Sequence, residues 1–332
     1  MKIYFTDFFN IDSSKLEDYG AFNISLINDL PLFIDPFLLF GSKKHEYQEL
    51  HNNILKYLIF LKTKAELGIT ELSQIKSWYI FKEVKQNWFG YSKVGNSGSG
   101  LGEKFGKAFS SSIHIVFDDL GNEKITQTSH LEKAGLFQIG VGKDNISDLT
   151  TNLSKEFLLE YTQKFAQSNI DPKLLKKVNV DKVYFDYYLE KWMPKEFILP
   201  YLFGDFIILT PRDILTKDDN WINSNDLRGD FTRICSGIPN DQLRHEIFNF
   251  YRNHIPKPKQ KKKNSQKEIS LAIQETIKEY PDIIKFYVKK KEENKEGAKN
   301  ISKQKVEEVI TMFIRNISAF VNLLQSWIFR QC

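Results

Sequence analysis

With 332 residues, 41% of them hydrophobic, the chain is long and apolar enough to bury a substantial core, which excludes global disorder. Its two cysteines lie far apart, so a disulfide framework and a thiolate zinc site are both unsupported, as is typical of a reducing cytoplasm. The net charge of +5 is uneven, because residues 254–305 hold 15 lysines against 7 acidic residues. Polar residues interrupt the longest apolar stretches, which argues against a transmembrane helix.

The N-terminal part of the chain mixes strand and helix patterns. Residues 32–40 have the composition of a buried strand, interrupted by Asp35-Pro36. Because proline cannot donate to a central ladder, this strand is expected at a sheet edge or at a strand end. The spacing of apolar residues predicts helices over 47–67 and 70–84, and residues 110–117 alternate like a strand.

A polar turn follows an apolar run over 136–141, which is predicted to be a strand. The turn contains Lys143, Asp144, Asn145 and Asp148, and apolar residues at every fourth position then predict a helix. Backbone amides at a helix start attract anions, but two carboxylates would repel a phosphate, so the turn suits a cation or hydrogen-bond donors better. All four are binding candidates. Capping of the helix is the favoured interpretation of Asp148, whereas Asp144 and Asn145 are less easily explained in that way.

A second polar turn, over 211–225, repeats this chemistry after predicted strands over 178–189 and 197–210. It holds Asp218, Asp219, Trp221 and Asn223. If the strands before the two turns share one sheet and one polarity, both turns could meet at its edge. Their carboxylates would then face one cleft and could bind Mg²⁺. The alternative is a solvated loop in which Trp221 is a packing anchor.

The C-terminal part is predicted to be helical over 240–254, 267–280, 281–293 and 302–329. Between the first two of these helices lies a nearly pure basic stretch with two prolines. Its lysines, which could follow a phosphate backbone or could merely be solubilising, are Lys257, Lys259, Lys261, Lys262, Lys263 and Lys267.

These patterns predict an α+β protein, with a mixed sheet and flanking helices. The predicted α+β domain spans residues 1–253, a basic Pro/Lys linker spans 254–266, and a helical C-terminal segment spans 267–332.

One string resembles nuclease chemistry. Glu83-Val-Lys85 follows an apolar run and could act with Asp35, as two carboxylates that hold Mg²⁺ beside a lysine. The favoured alternative is a surface pair on a helix, because the helical spacing continues to Lys82.

Residues 136–162 and 208–227, together with 32–39 and Ser129-His-Leu-Glu-Lys133, resemble a poorly characterised bacterial family. Its longer members continue into a restriction-endonuclease-like domain of the PD-(D/E)xK type. This chain matches only their N-terminal region, and the C-terminal segment is expected to be truncated relative to them. The resemblance therefore implies a nuclease-associated region without the catalytic core.

Three functions remain open at this point. The first is a cytoplasmic nucleic-acid-binding or sensing module of a bacterial defence nuclease system, with a nuclease, helicase or ATPase subunit as its partner. The second is a Mg²⁺-dependent nuclease that uses Asp35, Glu83 and Lys85, or the acidic residues of the two turns. The third is a non-catalytic scaffold whose C-terminal helices bind a partner protein.

Overall fold

The structure is a computed structural model and describes residues 2–68, 71–90, 101–137, 143–217, 219–256 and 264–328. Within these residues the α+β class is confirmed, with helices around two small antiparallel sheets. The first nine helices are α1 (Phe5–Phe9), α2 (Ser13–Tyr19), α3 (Pro36–Phe40), α4 (His45–Glu66), α5 (Leu72–Trp78), α6 (Glu103–Val116), α7 (Lys133–Phe137), α8 (Lys143–Leu153) and α9 (Lys155–Asn169). The later helices are α10 (Ser224–Ser236), α11 (Asp241–His254), α12 (Gln266–Glu279), α13 (Asp282–Glu293) and α14 (Lys295–Ile328).

The strands form one long hairpin and one short pair. They are β1 (Phe33–Ile34), β2 (Leu175–Asp186), β3 (Lys191–Leu202), β4 (Asp205–Phe206) and β5 (Leu215–Thr216). β2, β3 and β4 form an antiparallel sheet in chain order, with a register shift between Val180 and Tyr184. β1 pairs antiparallel with β5, so the sheet that lies nearest both polar turns contains only four strand residues.

Three strand predictions are corrected. Residues 110–117 lie largely in α6, where Phe109, Ile113 and Val116 are buried, because these three positions recur with the spacing of one helix face. In residues 32–40 only β1 is a strand, since Pro36 starts α3, a position that its fixed φ favours. The described part of 136–141 belongs to α7, and the rest of that run lies outside the described residues.

Several helix predictions are confirmed. α4 lies over the predicted 47–67, α11 over 240–254, and α12 and α13 over 267–293. The helix predicted over 70–84 ends earlier, at Trp78, and α10 was not predicted. Within the ranges above, no helix, the 34-residue α14 included, combines the length and apolarity that a bilayer crossing demands.

Two hydrophobic cores lie side by side. The larger contains side chains from α1 to β5, and Val306 and Val309 of α14 complete it. The smaller packs α10, α11, α12 and α13 around residues such as Phe231 and Ile284, and Phe37 and Leu38 of α3 belong to it. The predicted domain boundary at residue 254 falls between α11 and α12, which pack together in this second core.

Buried polar groups join the two cores. The Glu292 carboxylate on α13 accepts hydrogen bonds from the backbone of Gln127 at 2.8 Å and of Thr128 at 3.2 Å. It also contacts His130 Nε2 at 2.9 Å, with both side chains 1% exposed. Because a buried carboxylate needs donors on all sides, α13 can dock only where this loop supplies them.

We expect Glu292→Ala to lower the free energy of unfolding by about 3 kcal/mol or more, since it leaves buried donors without an acceptor. Urea unfolding followed by circular dichroism measures this. The neighbouring exposed Glu293 is the matched control, and Glu293→Ala should change stability by less than about 0.5 kcal/mol. Equal losses in the two variants would contradict this account of how α13 docks.

Candidate functional site

The first polar turn is helical throughout its described part. α8 begins at Lys143, so Asp144 and Asn145 lie in its first turn, where a negative charge is favourable. The capping prediction for Asp148 is wrong, because this residue lies in the helix interior, well past the first turn. The error came from placing the helix start several residues too late.

α8 lies against the short sheet. The backbone N–H of Ile34 donates to Ser147 Oγ at 3.0 Å, and the Lys143 ammonium lies 5.0 Å from the centre of the Phe33 ring. Asp148 lies near Glu83 and Asp144. Burial, and then repulsion from Asp144 and Glu83, raises the pKa of Asp148 to about 7.

The second polar turn is anchored by Trp221 and Asn223. The Trp221 backbone N–H donates to Asp35 Oδ2 at 2.8 Å, its indole N–H donates to the carbonyl of Lys291 at 3.2 Å, and the Lys291 ammonium lies 4.2 Å from its ring centre. Asn223 caps α10 by accepting a hydrogen bond from the backbone of Asp226 at 2.8 Å. Trp221 is therefore a packing anchor, as the alternative interpretation had it.

Both turns border the β1–β5 sheet, but their carboxylates have different neighbours. Asp144 and Glu83 both lie near Asp148, whereas Asp219 accepts a hydrogen bond from Asn225 and Asp226 pairs with Lys291 at 2.6 Å. In the described part of the chain no group of three or more His, Cys, Asp or Glu residues could hold a metal ion. Asp218 lies outside the described residues.

The three nuclease candidates likewise have separate partners. Asp35 binds backbone N–H groups, Glu83 lies near Asp148, and Lys85 contacts Asp205 at 3.6 Å. Glu83 and Lys85 are also not on α5, since Lys85 begins a short 3-10 turn.

The predicted lysine arm is only partly described. Lys257, Lys259, Lys261, Lys262 and Lys263 lie outside the described residues, and Lys267 is exposed in the first turn of α12.

In the sequence, Ser129-His-Leu-Glu-Lys133 is notable only for its resemblance to the bacterial family, yet the structure buries all five side chains. We call residues 129–133 the buried polar run. Lys133, 1% exposed, contacts Asp119 at 3.1 Å, and His130 contacts Glu292. The only sign of this burial in the sequence is a group of charged residues in a segment without glycine or proline. Exposed segments have the same composition, so it does not predict burial.

The Asp35 and Glu132 carboxyls form a buried pair. Asp35 Oδ1 accepts from the backbone of Phe37 at 3.1 Å, which caps α3, and Oδ2 accepts from Trp221. Glu132 lies against Asp35, and in the described part of the chain neither of its oxygens has a partner of normal hydrogen-bond geometry. Burial, followed by the nearby Asp35 carboxyl, raises the pKa of Glu132 well above its usual range, and burial also raises the pKa of Asp35. The two groups can bond to each other only while one of them holds a proton.

Two buried histidines, His51 and His130, lie beside α3. The His51 and His130 ring centres are 5.7 Å apart, and the His130 ring stacks on Phe37. Burial, and then the neighbouring His130, lowers the pKa of His51 to about 3, and burial also lowers the pKa of His130. Both imidazoles are therefore neutral at physiological pH.

Asp35 also lines a polar cavity of about 570 Å³, between Thr216 and residues 219–230 on one side and the helices α13 and α14 on the other. We call it the polar cavity. Its wall includes Asp219, Asn220, Trp221 and Lys305. The mixture of carboxylate, amide, indole and ammonium groups suits a ligand that both donates and accepts hydrogen bonds.

A second cavity of about 560 Å³ lies on the other side of α14, and we call it the basic groove. Its cationic residues are Lys44, Arg212, Lys299 and Lys303, and its acidic residues are Asp213 and Glu307. The lining therefore carries two positive charges more than negative ones.

We expect Glu132→Gln to stabilise the fold at pH 8 by about 1–2 kcal/mol, because a Gln amide donates to Asp35 without needing a proton. The folded chain holds the proton of this pair more tightly than the unfolded chain, so the stability of the wild type falls as pH rises above about 4.3. At pH 4 the variant and the wild type should therefore be nearly equal. Unfolding free energies measured from pH 4 to 8, with Glu293→Gln as control, test this, and a pH-independent difference would contradict it.

A second pH-dependent change in stability is expected for Asp148→Asn. Since burial raises the pKa of Asp148 to about 7, stability should fall as pH rises from about 4 to 7, and remain low above that. The variant should lack this fall and be more stable than the wild type at pH 8, by on the order of 2 kcal/mol after allowance for partial exposure. Melting temperatures across this range measure the effect. The exposed Asp18→Asn should leave the pH profile unchanged.

The sequence model of one protein family, described as a domain of unknown function (DUF8370), matches residues 10–223, well over half of the chain. The match contains β1, α3, the buried polar run and the second polar turn up to Asn223, whereas α10 to α14 follow it. No curated protein and no solved structure matches the chain significantly.

Proposed function

We propose a nucleic-acid-binding function for this chain, which belongs to the family described as a domain of unknown function (DUF8370). The observation that carries the proposal is the row of lysines along one side of α14, beside the basic groove.

The row consists of Lys295, Lys299 and Lys303. They follow one another at intervals of four residues, so their Cα atoms are about 6 Å apart along the axis and their side chains lie close to one face. A repeated ammonium charge of this kind suits a repeated phosphate charge better than a single anionic ligand.

The charge balance in the groove favours an anion. Lys44 pairs with Asp213 at 2.7 Å, and Arg212 lies 3.8 Å from Glu307. These two pairs involve both acidic residues of the lining. The excess positive charge of the groove therefore belongs to Lys299 and Lys303. Lys299 contacts Glu296 at 3.2 Å, but Glu296 does not line the groove, and its side chain is 68% exposed, so this contact is weak.

The floor of the groove is partly apolar. Leu38 and Val306 line it, and the Lys295 ammonium lies 5.6 Å from the centre of the Phe40 ring. Apolar surface between cations accommodates the sugars and bases of a strand whose phosphates contact the lysines.

The nuclease connection is an extension of this proposal. It is supported by the resemblance of residues 32–39, 129–133, 136–162 and 208–227 to a bacterial family whose longer members carry a PD-(D/E)xK-type domain. In that setting the chain delivers nucleic acid to a partner nuclease, helicase or ATPase subunit of a defence system.

We expect Lys299→Ala/Lys303→Ala to weaken binding of a short fluorescein-labelled single strand, DNA or RNA, in anisotropy titrations over a range of salt concentrations. Loss of two phosphate contacts should reduce the slope of log K against log[salt] by about 1.4. The matched control is Lys104→Ala/Lys278→Ala, which removes the same charge from exposed positions in α6 and α12 and should leave the slope unchanged.

Two results would overturn the proposal: no salt-dependent binding by the wild type, or an equal loss of slope in the control. Cleavage of the strand that requires Mg²⁺ would favour the predicted nuclease activity instead of a binding module.

A further inference from the structure

The polar cavity lies across α14 from the basic groove. Ser302 lines both, whereas Ile301 and Lys305 line only the polar cavity and Lys299 and Lys303 only the groove. A strand that lies along the row of lysines therefore passes within one helix diameter of the polar cavity, a distance of about 10 Å.

One buried side chain in the polar cavity lacks a partner. Asn220 is 3% exposed, and its Oδ1 atom accepts no hydrogen bond from the described residues. Other bonds hold the turn: the backbone carbonyl of Asn220 accepts from Asn223 Nδ2 at 2.8 Å, and the Asn223 backbone is bonded to the Tyr287 hydroxyl. A buried acceptor without a donor is destabilising, and a ligand N–H that donates to it would relieve this cost.

Three other carboxylates that line the cavity already have hydrogen-bond or ion-pair partners. Both oxygens of Asp35 accept backbone N–H groups, Asp226 pairs with Lys291, and Asp230 pairs with Arg233 at 2.5 Å and with Lys290.

Two further groups remain available beside Asn220. Asp219 accepts one hydrogen bond, from Asn225 at 3.0 Å, so its carboxylate can accept more. Lys305 lines the cavity within electrostatic reach of Asp35, and it forms no ion pair of 4 Å or less with the described residues. The cavity therefore offers two acceptors and one strong donor to a ligand.

These groups favour a particular ligand chemistry. A phosphate would meet the carboxylate of Asp219, and a simple amine would leave Lys305 without an acceptor. A nucleobase carries N–H donors and ring or carbonyl acceptors in one plane, and guanine presents imino and amino N–H groups beside a carbonyl that lysine commonly binds. A volume of about 570 Å³ lies within the usual range for small-molecule sites.

We infer that the polar cavity binds a nucleobase, guanine best of all, through Asn220 and Asp219 as acceptors and Lys305 as donor. That the base belongs to a strand held in the basic groove rests on the proposed function; binding of the base itself does not.

The test uses free nucleosides, which lack phosphate, with the full chain. Ligand-observed NMR titrations should show guanosine binding more tightly than adenosine, cytidine or uridine. Asn220→Leu should weaken guanosine binding at least about tenfold, equivalent to one lost hydrogen bond of about 1.4 kcal/mol. Asn220→Asp, which keeps an acceptor oxygen, should retain most of the affinity, and Asn179→Leu, at an exposed position in β2, should retain all of it.

If Asn220→Leu does not fold, Asp219→Asn provides the second variant. It keeps the size of the side chain, and it should weaken guanosine more than adenosine because it replaces a carboxylate oxygen by an amide donor.

The outcomes separate this inference from the proposed function. Lys299→Ala/Lys303→Ala should bind guanosine as tightly as the wild type. Strand binding without binding of any nucleoside overturns the base site and leaves the proposed function intact. Guanosine binding that depends on Asn220, without strand binding, supports the base site and overturns the proposed function. Guanosine binding that is unchanged in both Asn220→Leu and Asp219→Asn overturns the site.

Discussion

The buried carboxyl of Asp35 holds together three segments that lie far apart in the sequence. It caps α3, accepts the backbone N–H of Trp221, 186 residues away, and lies against Glu132 of the buried polar run. Each contact fixes a different part of the site: the end of β1, the wall of the polar cavity and the loop that receives α13. Burial makes an unshared charge costly. The two carboxyls therefore keep a shared proton as long as their environment excludes water.

α14 is the second organising element. Its Val306 and Val309 complete the larger core, while Ala298, about two turns closer to its start, belongs to the smaller one. The Ser302 hydroxyl donates to the carbonyl of Leu215, so the helix is fixed directly above β5. Its two flanks then form walls of two chemically different cavities, one cationic and one rich in hydrogen-bond acceptors.

Local patterns predicted the parts of this fold that local physics determines. α4 and α11 have long apolar stripes at helical spacing, and they were predicted within a few residues. Residues 110–117 alternate and also fit a helix, so a short window could not distinguish the two. The α+β class was predictable in the same way, from the mixture of the two periodicities.

The site depended on contacts that no local pattern contains. Asp35 was singled out for nuclease chemistry, but its partners come from residues 132 and 221. Glu292 lies in a Lys/Glu-rich segment, a composition typical of a solvated helix face, and only the approach of residues 127–130 shows that it is buried. Such contacts also bear on biosynthesis: with partners 186 residues apart for Asp35, and 87 for the Ser302–Leu215 bond, the polar cavity is not enclosed while the chain is still being made. A nascent chain that has folded only its N-terminal core therefore lacks the wall of the polar cavity that α14 supplies.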